Sequence, residues 1–264
     1  ADTAGHIGYL MGGTVPVRGD RRPAPVAPVP GWTGEWDWGE DLPFDEHPRV
    51  LDPPHGFLIT ANNRQTAAPA GELISRTWNP PFRAMRIREL LTEGGGRLTA
   101  ARIHRMQLDL VDLYARRYLD RAVEAALAAR LPEAEALLRG WDGRAEAGSR
   151  AATLFYVWNE LVRQAAAEDL YRGDASYFPI NAAGEVLELR ALPWAEDPVG
   201  RYRAIASAAM REAVPLADRP WGEANRARHG HALGGVALLD RVLGLNVGPH
   251  PHHGSPSTCL LYTS

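Results

Sequence analysis

The chain has 264 residues and a formal net charge of −3 at pH 7, from 29 basic and 32 acidic residues. Charges of both signs are mixed along the chain. Nucleic acid and anionic membranes bind surfaces that carry charge of a single sign, so we expect neither as a partner. No apolar run reaches the ~18 residues that a transmembrane helix needs. The single cysteine, Cys259, excludes an intrachain disulfide and a cysteine-based metal site.

Strands and ordered loops are predicted for residues 1–81. This part is rich in glycine, proline and tryptophan and shows no sustained helical period. The apolar run at residues 56–61 is the clearest predicted strand, and Asn62 and Asn63 follow it directly. Five prolines between residues 15 and 34 exclude a helix there and predict an extended loop.

Helical periodicity begins at residue 82. Glycines at 94–96 end the first predicted helix, and Thr99 is placed to cap a second one that extends to about residue 130. Residues 174–193 are ambiguous, with a turn or hairpin at 181–184. Further helices are predicted at residues 132–139, 150–167, 198–214 and 236–242.

These patterns predict an α+β chain with three segments. Residues 1–81 are the strand- and loop-rich segment, and residues 82–258 are mainly helical. Residues 259–264 depart from the arginine-, alanine- and glycine-rich composition of the preceding chain, and the run from Cys259 resembles translated sequencing adapter. We therefore expect residues 259–264 to be a non-native tail.

The residue types alone suggest chemistry at two groups of residues. Histidines near the end of the chain could share a zinc ion where two of them alternate along a strand, although a third ligand is also needed and a solvated loop is the simpler interpretation. The acidic pairs could be acid/base carboxylates, although their polar, proline-rich surroundings favour a solvated loop. The residues concerned are His229, His231, His250, His252, His253, Glu40, Asp41, Asp45 and Glu46.

A series of short motifs carries a more specific signal than either group. In chain order, the motifs are Gly5-His6-Ile7-Gly8-Tyr9, Pro28-Val29-Pro30-Gly31, Trp36-Asp37-Trp38-Gly39, Leu42-Pro43-Phe44, Pro48-Arg49-Val50, Pro53-Pro54-His55-Gly56-Phe57, Thr60-Ala61-Asn62-Asn63-Arg64, Gln107-x-Asp109, Leu138-x-Gly140-Trp141-Asp142-Gly143 and Gly254-Ser255-Pro256-Ser257-Thr258. Taken together, in order and approximate spacing, this series resembles the penicillin amidase family over nearly the whole chain.

The resemblance implies a fold and a reaction. Members of the family are N-terminal-nucleophile hydrolases with an αββα sandwich, and they cleave acyl amides such as penicillins, cephalosporins and acyl-homoserine lactones. A precursor cuts itself, and the new N-terminal residue of the β chain, usually serine, attacks the amide while its own α-amino group acts as base. The present chain would be a middle part of that β chain with a helical subdomain, its nucleophile would lie upstream of residue 1, and alone it would be inactive.

The resemblance also implies site residues. Asn62 matches the oxyanion-hole asparagine, whose side-chain NH2 stabilises the tetrahedral intermediate. From the residues alone, a strand-ending turn formed by Asn62 and Asn63 is the favoured interpretation. Arg83 falls where the family has an arginine that orients the active centre, with Arg86 and Arg88 as rivals. Glu72 and the carbonyl of Pro25 fall nearest the positions of a structural calcium site.

Partners and location follow from the resemblance as well. The partners would be the α chain, the remainder of the β chain and an acylated small molecule, and the location would be periplasmic or secreted. A catalytically inactive relative that binds acylated small molecules is the main alternative, because the nucleophile position is not covered. A zinc hydrolase built on the C-terminal histidines is a third hypothesis.

Overall fold

The computed structural model describes residues 1–19, 28–66, 70–75, 77–95, 97–171 and 180–259. The chain divides into two compact units, residues 1–84 and residues 85–264. Both helices and strands are present, and the predicted α+β class is confirmed.

Short antiparallel strand pairs organise the first unit. Strand β1 (Gly8–Leu10) pairs with β4 (Arg49–Leu51), and β2 (Pro16–Arg18) pairs with β3 (Trp38–Asp41). Within the described residues, each of these sheets has two strands. Two-stranded sheets are marginally stable by themselves, so the order of this unit depends on other contacts.

A small apolar cluster supplies part of those contacts. Val15, Leu42 and Leu73 are buried together, and Leu73 comes from the short helix α1 (Ala70–Ile74). The buried His47 ring adds polar links, since its two nitrogens lie 3.0 Å from the carbonyl oxygen of Met11 and 3.2 Å from that of Leu42. The first unit is therefore held by few side chains and many local hydrogen bonds.

The strand predicted at residues 56–61 is wrong. These residues are described, and none of them belongs to a strand. Apolar β-forming residues make a strand only when a neighbouring strand accepts and donates their backbone hydrogen bonds. No such neighbour stands beside this segment in the described chain.

The second unit is mainly helical, and most of the helices that the sequence predicts begin close to the expected positions. The helices from the end of the first unit onward are α2 (Phe82–Thr92), α3 (Ala100–Gln107), α4 (Leu113–Ala128), α5 (Pro132–Arg139), α6 (Arg150–Tyr171), α7 (Ile180–Leu189), α8 (Pro198–Ala213), α9 (Trp221–Ala224) and α10 (Ala237–Leu243).

One long helix was expected from Thr99 to about residue 130, and the structure has two. Thr99 caps α3 as predicted, its side chain accepting a hydrogen bond from the Arg102 backbone. The helix ends at Gln107, and Asp112 caps α4 by accepting from the Ala115 backbone N–H. Between them, Val111 forms a bridge with Arg144, so a tertiary backbone pairing overrides the helical period of the sequence.

The turn or hairpin expected at residues 181–184 is also wrong, because α7 runs through these positions. Residues 174–179, at the start of that ambiguous stretch, lie outside the described residues. The segment Asn181-Ala182-Ala183-Gly184 has a turn-like composition, but the apolar residues around it fit a helix of this length.

Helices α4, α6 and α8 form the core of the second unit. Phe155 and Trp158 on α6 are fully buried, and the Trp158 indole donates to the Ala206 carbonyl of α8 at 3.0 Å. Buried alanines on α4 and α8 let these helices approach closely while the aromatic rings fill the space between them. The buried alanines are Ala115, Ala122, Ala125, Ala126, Ala206, Ala209 and Ala213.

A hairpin closes the second unit. Strand β5 (Arg226–His229) pairs antiparallel with β6 (Val247–Pro251), and helix α10 lies in the connection between them. The base of the hairpin is fixed by Asn225, whose side-chain NH2 donates to the carbonyls of His252 and Gly254. Among the helices described here, none has the length and apolar character that crossing a membrane requires.

Candidate functional site

Asn62 occupies a sharply turned position in the first unit. Its backbone has φ 60°, the left-handed region that asparagine tolerates better than most residues. The Asn62 carbonyl accepts a 3.0 Å hydrogen bond from the Asn79 backbone N–H, and Ala61 beside it is buried. The main chain at Asn62 is therefore fixed from both sides while its side chain remains exposed to solvent.

Arg83 lies next to Asn62 although 21 residues separate them. The Arg83 Nη2 donates a 2.8 Å hydrogen bond to Asn62 Oδ1. Arg83 is on the first turn of α2, and Asn79 shortly before that helix holds the Asn62 carbonyl. The structure thus brings together the two residues predicted to be catalytic.

This hydrogen bond determines which way the Asn62 amide faces. A guanidinium has donors and no acceptor, so the amide atom that it contacts must be the oxygen. The Asn62 NH2 then points away from Arg83 with its two donors directed elsewhere. An amide oriented in this manner can donate to an oxyanion, and its orientation does not depend on the substrate.

Arg86 and Arg88, the two other candidates for the arginine that orients the active centre, have different surroundings. Arg86 makes a bidentate pair with Asp109 in the second unit, with distances of 2.8 Å from Nε and 3.0 Å from Nη2. This pair, together with Glu89, raises the pKa of the Arg86 guanidinium. Arg88 is exposed on the surface of α2. Arg83 is thus the arginine of this helix that contacts Asn62.

Asn63 has a local structural role. Its side-chain oxygen accepts from the Ala61 backbone at 3.2 Å, and its NH2 donates to the Arg64 carbonyl at 3.1 Å. The sequence left open whether both asparagines form a turn. In the structure, the Asn63 side chain stabilises that turn, while the Asn62 side chain is held by an arginine from another element.

The calcium prediction falls largely outside the described residues. Pro25 lies outside them, and Glu72 lies in α1, where the backbone but not the Glu72 side chain is described. Across the described parts of the chain, no three His, Cys, Asp or Glu side chains gather as they would around a metal ion. The calcium site therefore stays a prediction.

The C-terminal histidines are dispersed around the β5–β6 hairpin. The rings of His229 and His250 stack at 6.1 Å between centroids, and His253 accepts a hydrogen bond from the Ala147 backbone. Burial and the neighbouring histidines lower the pKa of His252. Within the described part of the chain these histidines form no metal-binding group of three or more residues.

A buried carboxylate in the second unit was missed by the sequence analysis. Asp112 is completely buried and accepts hydrogen bonds from the hydroxyls of Ser255 at 2.6 Å and Tyr156 at 2.7 Å. Burial raises the pKa of Asp112 and of Tyr156. The helix-capping pattern at Asp112 could have been found in the sequence, but nothing there links Asp112 to Ser255, 143 residues away.

The fold and the oriented amide define a mixed α+β protein with a preorganised side-chain donor. A family model described as penicillin amidase matches residues 1–263. The chain is 32% identical over 262 residues to the penicillin acylase 2 proenzyme of Pseudomonas sp. (strain SE83), a match that covers 91% of this chain and 33% of that relative. The chain belongs to the penicillin amidase family.

The chain is also similar to proteins that are named as other kinds of acylase. An acyl-homoserine lactone acylase QuiP from Pseudomonas putida is 32% identical over 181 residues, covering 62% of this chain and 22% of that protein. The penicillin G acylase of Escherichia coli is 42% identical over 101 residues, covering 38% of this chain and 12% of that protein. The chain thus spans a third or less of the length of these relatives.

Proposed function

We propose that this chain is part of an acylase that hydrolyses the amide bond of N-acylated small molecules, of the penicillin or acyl-homoserine lactone type. The observation that carries the proposal is the 2.8 Å hydrogen bond from Arg83 Nη2 to Asn62 Oδ1. It leaves the Asn62 NH2 as a fixed donor in a chain whose relatives are named as acylases. Acyl transfer requires such a donor where negative charge develops on the carbonyl oxygen.

In this mechanism Asn62 stabilises the tetrahedral intermediate. The carbonyl oxygen becomes an oxyanion when the nucleophile adds, and the Asn62 N–H donates more strongly to that oxyanion than to the neutral carbonyl. Removing one donor of this kind costs roughly 2.7 to 4 kcal/mol of barrier. Arg83 acts through Asn62: it holds the amide oxygen, so the donor is oriented before the substrate arrives.

The nucleophile in this proposal is the N-terminal serine of a processed β chain, outside residues 1–264. A free α-amino group has a pKa near neutrality, so it can accept the hydroxyl proton without a separate histidine. The acyl-enzyme then forms as the amine leaves, and water hydrolyses it. A periplasmic or secreted location and a structural calcium ion near Glu72 and Pro25 belong to the proposal through the resemblance to the family.

The remainder of the acylase polypeptide would be the partner of this chain, completing an αββα sandwich. Two exposed apolar surfaces support this. Leu10, Phe44 and Leu51 are exposed around the β1–β4 pair, whose outer edges have no further strand in the described chain. On α10, Leu238 and Val242 are each 70% exposed. Unpaired edges and clustered apolar side chains are normally covered in a complete protein.

The experiment for this function uses the protein expressed from its complete reading frame. Intact mass spectrometry asks whether it splits into two chains, and an assay with a penicillin and an N-acyl-homoserine lactone asks whether the amide bond is cleaved. We expect two chains, the second beginning with Ser, Thr or Cys, and release of the free amine from at least one substrate class.

A catalytically inactive relative that binds acylated small molecules is the second candidate. It is compatible with the exposed Asn62 side chain, because an oriented amide can also donate to the neutral carbonyl of a bound ligand. An uncut chain that binds an acylated ligand without releasing amine would favour this candidate over the hydrolase.

A further inference from the structure

Two side chains of the second unit donate to one backbone carbonyl, that of Gly254. Its oxygen accepts a 2.7 Å hydrogen bond from the Trp221 indole Nε1 and a 3.0 Å hydrogen bond from the Asn225 side-chain nitrogen. Gly254 is buried, so water does not compete strongly for this oxygen. Two fixed donors directed at one carbonyl oxygen are the arrangement that stabilises an oxyanion.

The residue that follows this carbonyl carries a hydroxyl held by a carboxylate. Ser255 Oγ donates a 2.6 Å hydrogen bond to Asp112 Oδ2, and Ser255 is only 6% exposed. Burial raises the pKa of Asp112, so its carboxylate accepts a proton more readily than an ordinary aspartate does. A hydroxyl that donates to such a base is an activated nucleophile.

Further hydrogen bonds fix the hydroxyl and its base. Asp112 Oδ1 accepts from the Ala115 backbone at 3.1 Å, and the Tyr156 hydroxyl donates to Oδ2 at 2.7 Å. The Ser257 backbone N–H donates to Ser255 Oγ at 3.1 Å. The nucleophile and the base are therefore held in place before any reaction begins, which lowers the entropic part of a barrier.

The covalent structure keeps this hydroxyl close to the Gly254 carbonyl carbon. Attack by Ser255 Oγ on that carbon closes a five-membered ring within the chain, so the nucleophile and its target are never separated by diffusion. Gly254 has no side chain to block the approach, and its φ of 86° lies in the left-handed region that glycine adopts without strain.

We propose that the peptide bond between Gly254 and Ser255 is a self-cleavage site. Ser255 Oγ gives its proton to Asp112 and bonds to the Gly254 carbonyl carbon. Trp221 and Asn225 stabilise the negative charge that develops on the carbonyl oxygen. Asp112 then passes the proton to the Ser255 nitrogen as the C–N bond breaks, which leaves an ester between Gly254 and Ser255 Oγ. Water hydrolyses this ester to a Gly254 carboxylate and a free Ser255 hydroxyl.

This cleavage is separate from the proposed acylase activity and does not rest on it. The site contains neither Asn62 nor Arg83, and the break lies inside the present chain. The cut that would release the N-terminal nucleophile of the acylase lies upstream of residue 1. The two breaks therefore give chains of different mass, and one spectrum reports each of them independently.

Intact mass spectrometry of the protein from its complete reading frame, followed over time after purification, tests the site. We expect one chain that ends at Gly254 and one that begins at Ser255, with masses that sum to the uncut chain plus one water. Hydroxylamine attacks esters much faster than amides, so adding it to acid-denatured protein should increase the break and leave a hydroxamate on Gly254. No break at this bond, with or without hydroxylamine, would overturn the proposal.

Variants of the nucleophile identify the reacting atom. Ser255→Ala should abolish the break and leave any upstream cut unchanged. Ser255→Cys should retain the break, because a thiol can form the corresponding thioester. The matched control is Ser257→Ala, which keeps the backbone N–H that contacts Ser255 Oγ and should cleave at the wild-type rate. A break that persists in Ser255→Ala would mean that another protease produces it.

Two further variants test the base and the oxyanion donors. Asp112→Asn keeps the shape of the side chain and removes the base, so the break should slow roughly 100-fold or more. Trp221→Phe removes the indole N–H and keeps a ring against Tyr156, which lies 4.6 Å from the Trp221 ring between centroids. It should slow the break roughly 100-fold. Wild-type rates in both variants, with circular dichroism showing folded protein, would contradict the assigned roles.

Discussion

The two units of the chain differ in what keeps them ordered. The first unit has short two-stranded sheets and a small buried cluster around Val15, Leu42 and Leu73. The second has long helices packed around Phe155 and Trp158, with a buried carboxylate network at Asp112. The oriented amide of Asn62 lies in the unit with the smaller core. Functional side chains commonly lie on irregular backbone, where hydrogen bonds fix them individually.

This difference separates two kinds of mutational effect. In the first unit, a single hydrogen bond at Asn62 should affect catalysis more than folding, because the side chain is exposed and few apolar contacts depend on it. In the second unit, substitutions in the buried network should affect folding more than catalysis.

The largest effect is expected for Asn62→Ala. In the protein from the complete reading frame, turnover should fall by two or more orders of magnitude, because the proposed oxyanion donor is removed. The measurement is kcat for amide hydrolysis, accompanied by thermal unfolding. Asn63→Ala is the control, since the Asn63 side chain stabilises only the local turn. Comparable losses of kcat in both variants would contradict the special role of Asn62.

Asp112→Ala should lower the free energy of unfolding by about 3 kcal/mol. The variant loses the cap of α4 and leaves the hydroxyls of Tyr156 and Ser255 without their acceptor. Urea unfolding monitored by circular dichroism measures the change. A loss below about 1 kcal/mol would show that the network is not a stabilising element.

The charge on Asp112 also gives the stability a pH dependence. Because burial raises its pKa above the ordinary value of 3.8, the folded protein binds the proton more tightly than the unfolded chain does. Stability should therefore decrease as the pH rises from about 4 towards the raised pKa. Asp112→Asn stays neutral, and wild type should lose stability relative to it over that range.

Arg83→Leu should lower kcat about 10-fold or more with little change in KM. The Asn62 amide would keep its place in the chain but lose the contact that orients it. Arg88→Leu, on the exposed surface of the same helix, serves as the control. If Arg83 has only a structural role, the melting temperature should fall in proportion and kcat per folded molecule should be unchanged.

The smallest effect is expected for Arg117→Ala. Its ion pair with Glu188 is exposed at both ends, so solvent screens the interaction and the side chains lose entropy in forming it. Thermal unfolding should give a melting temperature within experimental error of wild type. A large decrease in the melting temperature would mean that this exposed ion pair contributes substantially to the stability of the second unit.

The sequence predicted local structure better than long-range contacts. The bounds of α2, α5 and α8 follow from apolar periodicity and from stop signals such as the glycines at 94–96. The break between α3 and α4 was missed, because the bridge from Val111 to Arg144 joins residues that no local pattern connects.

The same limit applies to the candidate site. The order and spacing of the sequence motifs identify Asn62 and Arg83 as candidates. Their hydrogen bond depends on how the chain folds between them, which the motifs do not specify.

The most direct test of the Asn62 assignment is single-turnover acyl transfer in Asn62→Gly. Glycine adopts the left-handed conformation that Asn62 has at φ 60°, so this variant keeps the turn and removes only the amide. We predict a normally folded and processed protein whose rate of acyl transfer falls by roughly 100-fold or more. A rate close to that of wild type would show that Asn62 serves the backbone turn, and the proposed mechanism would be wrong.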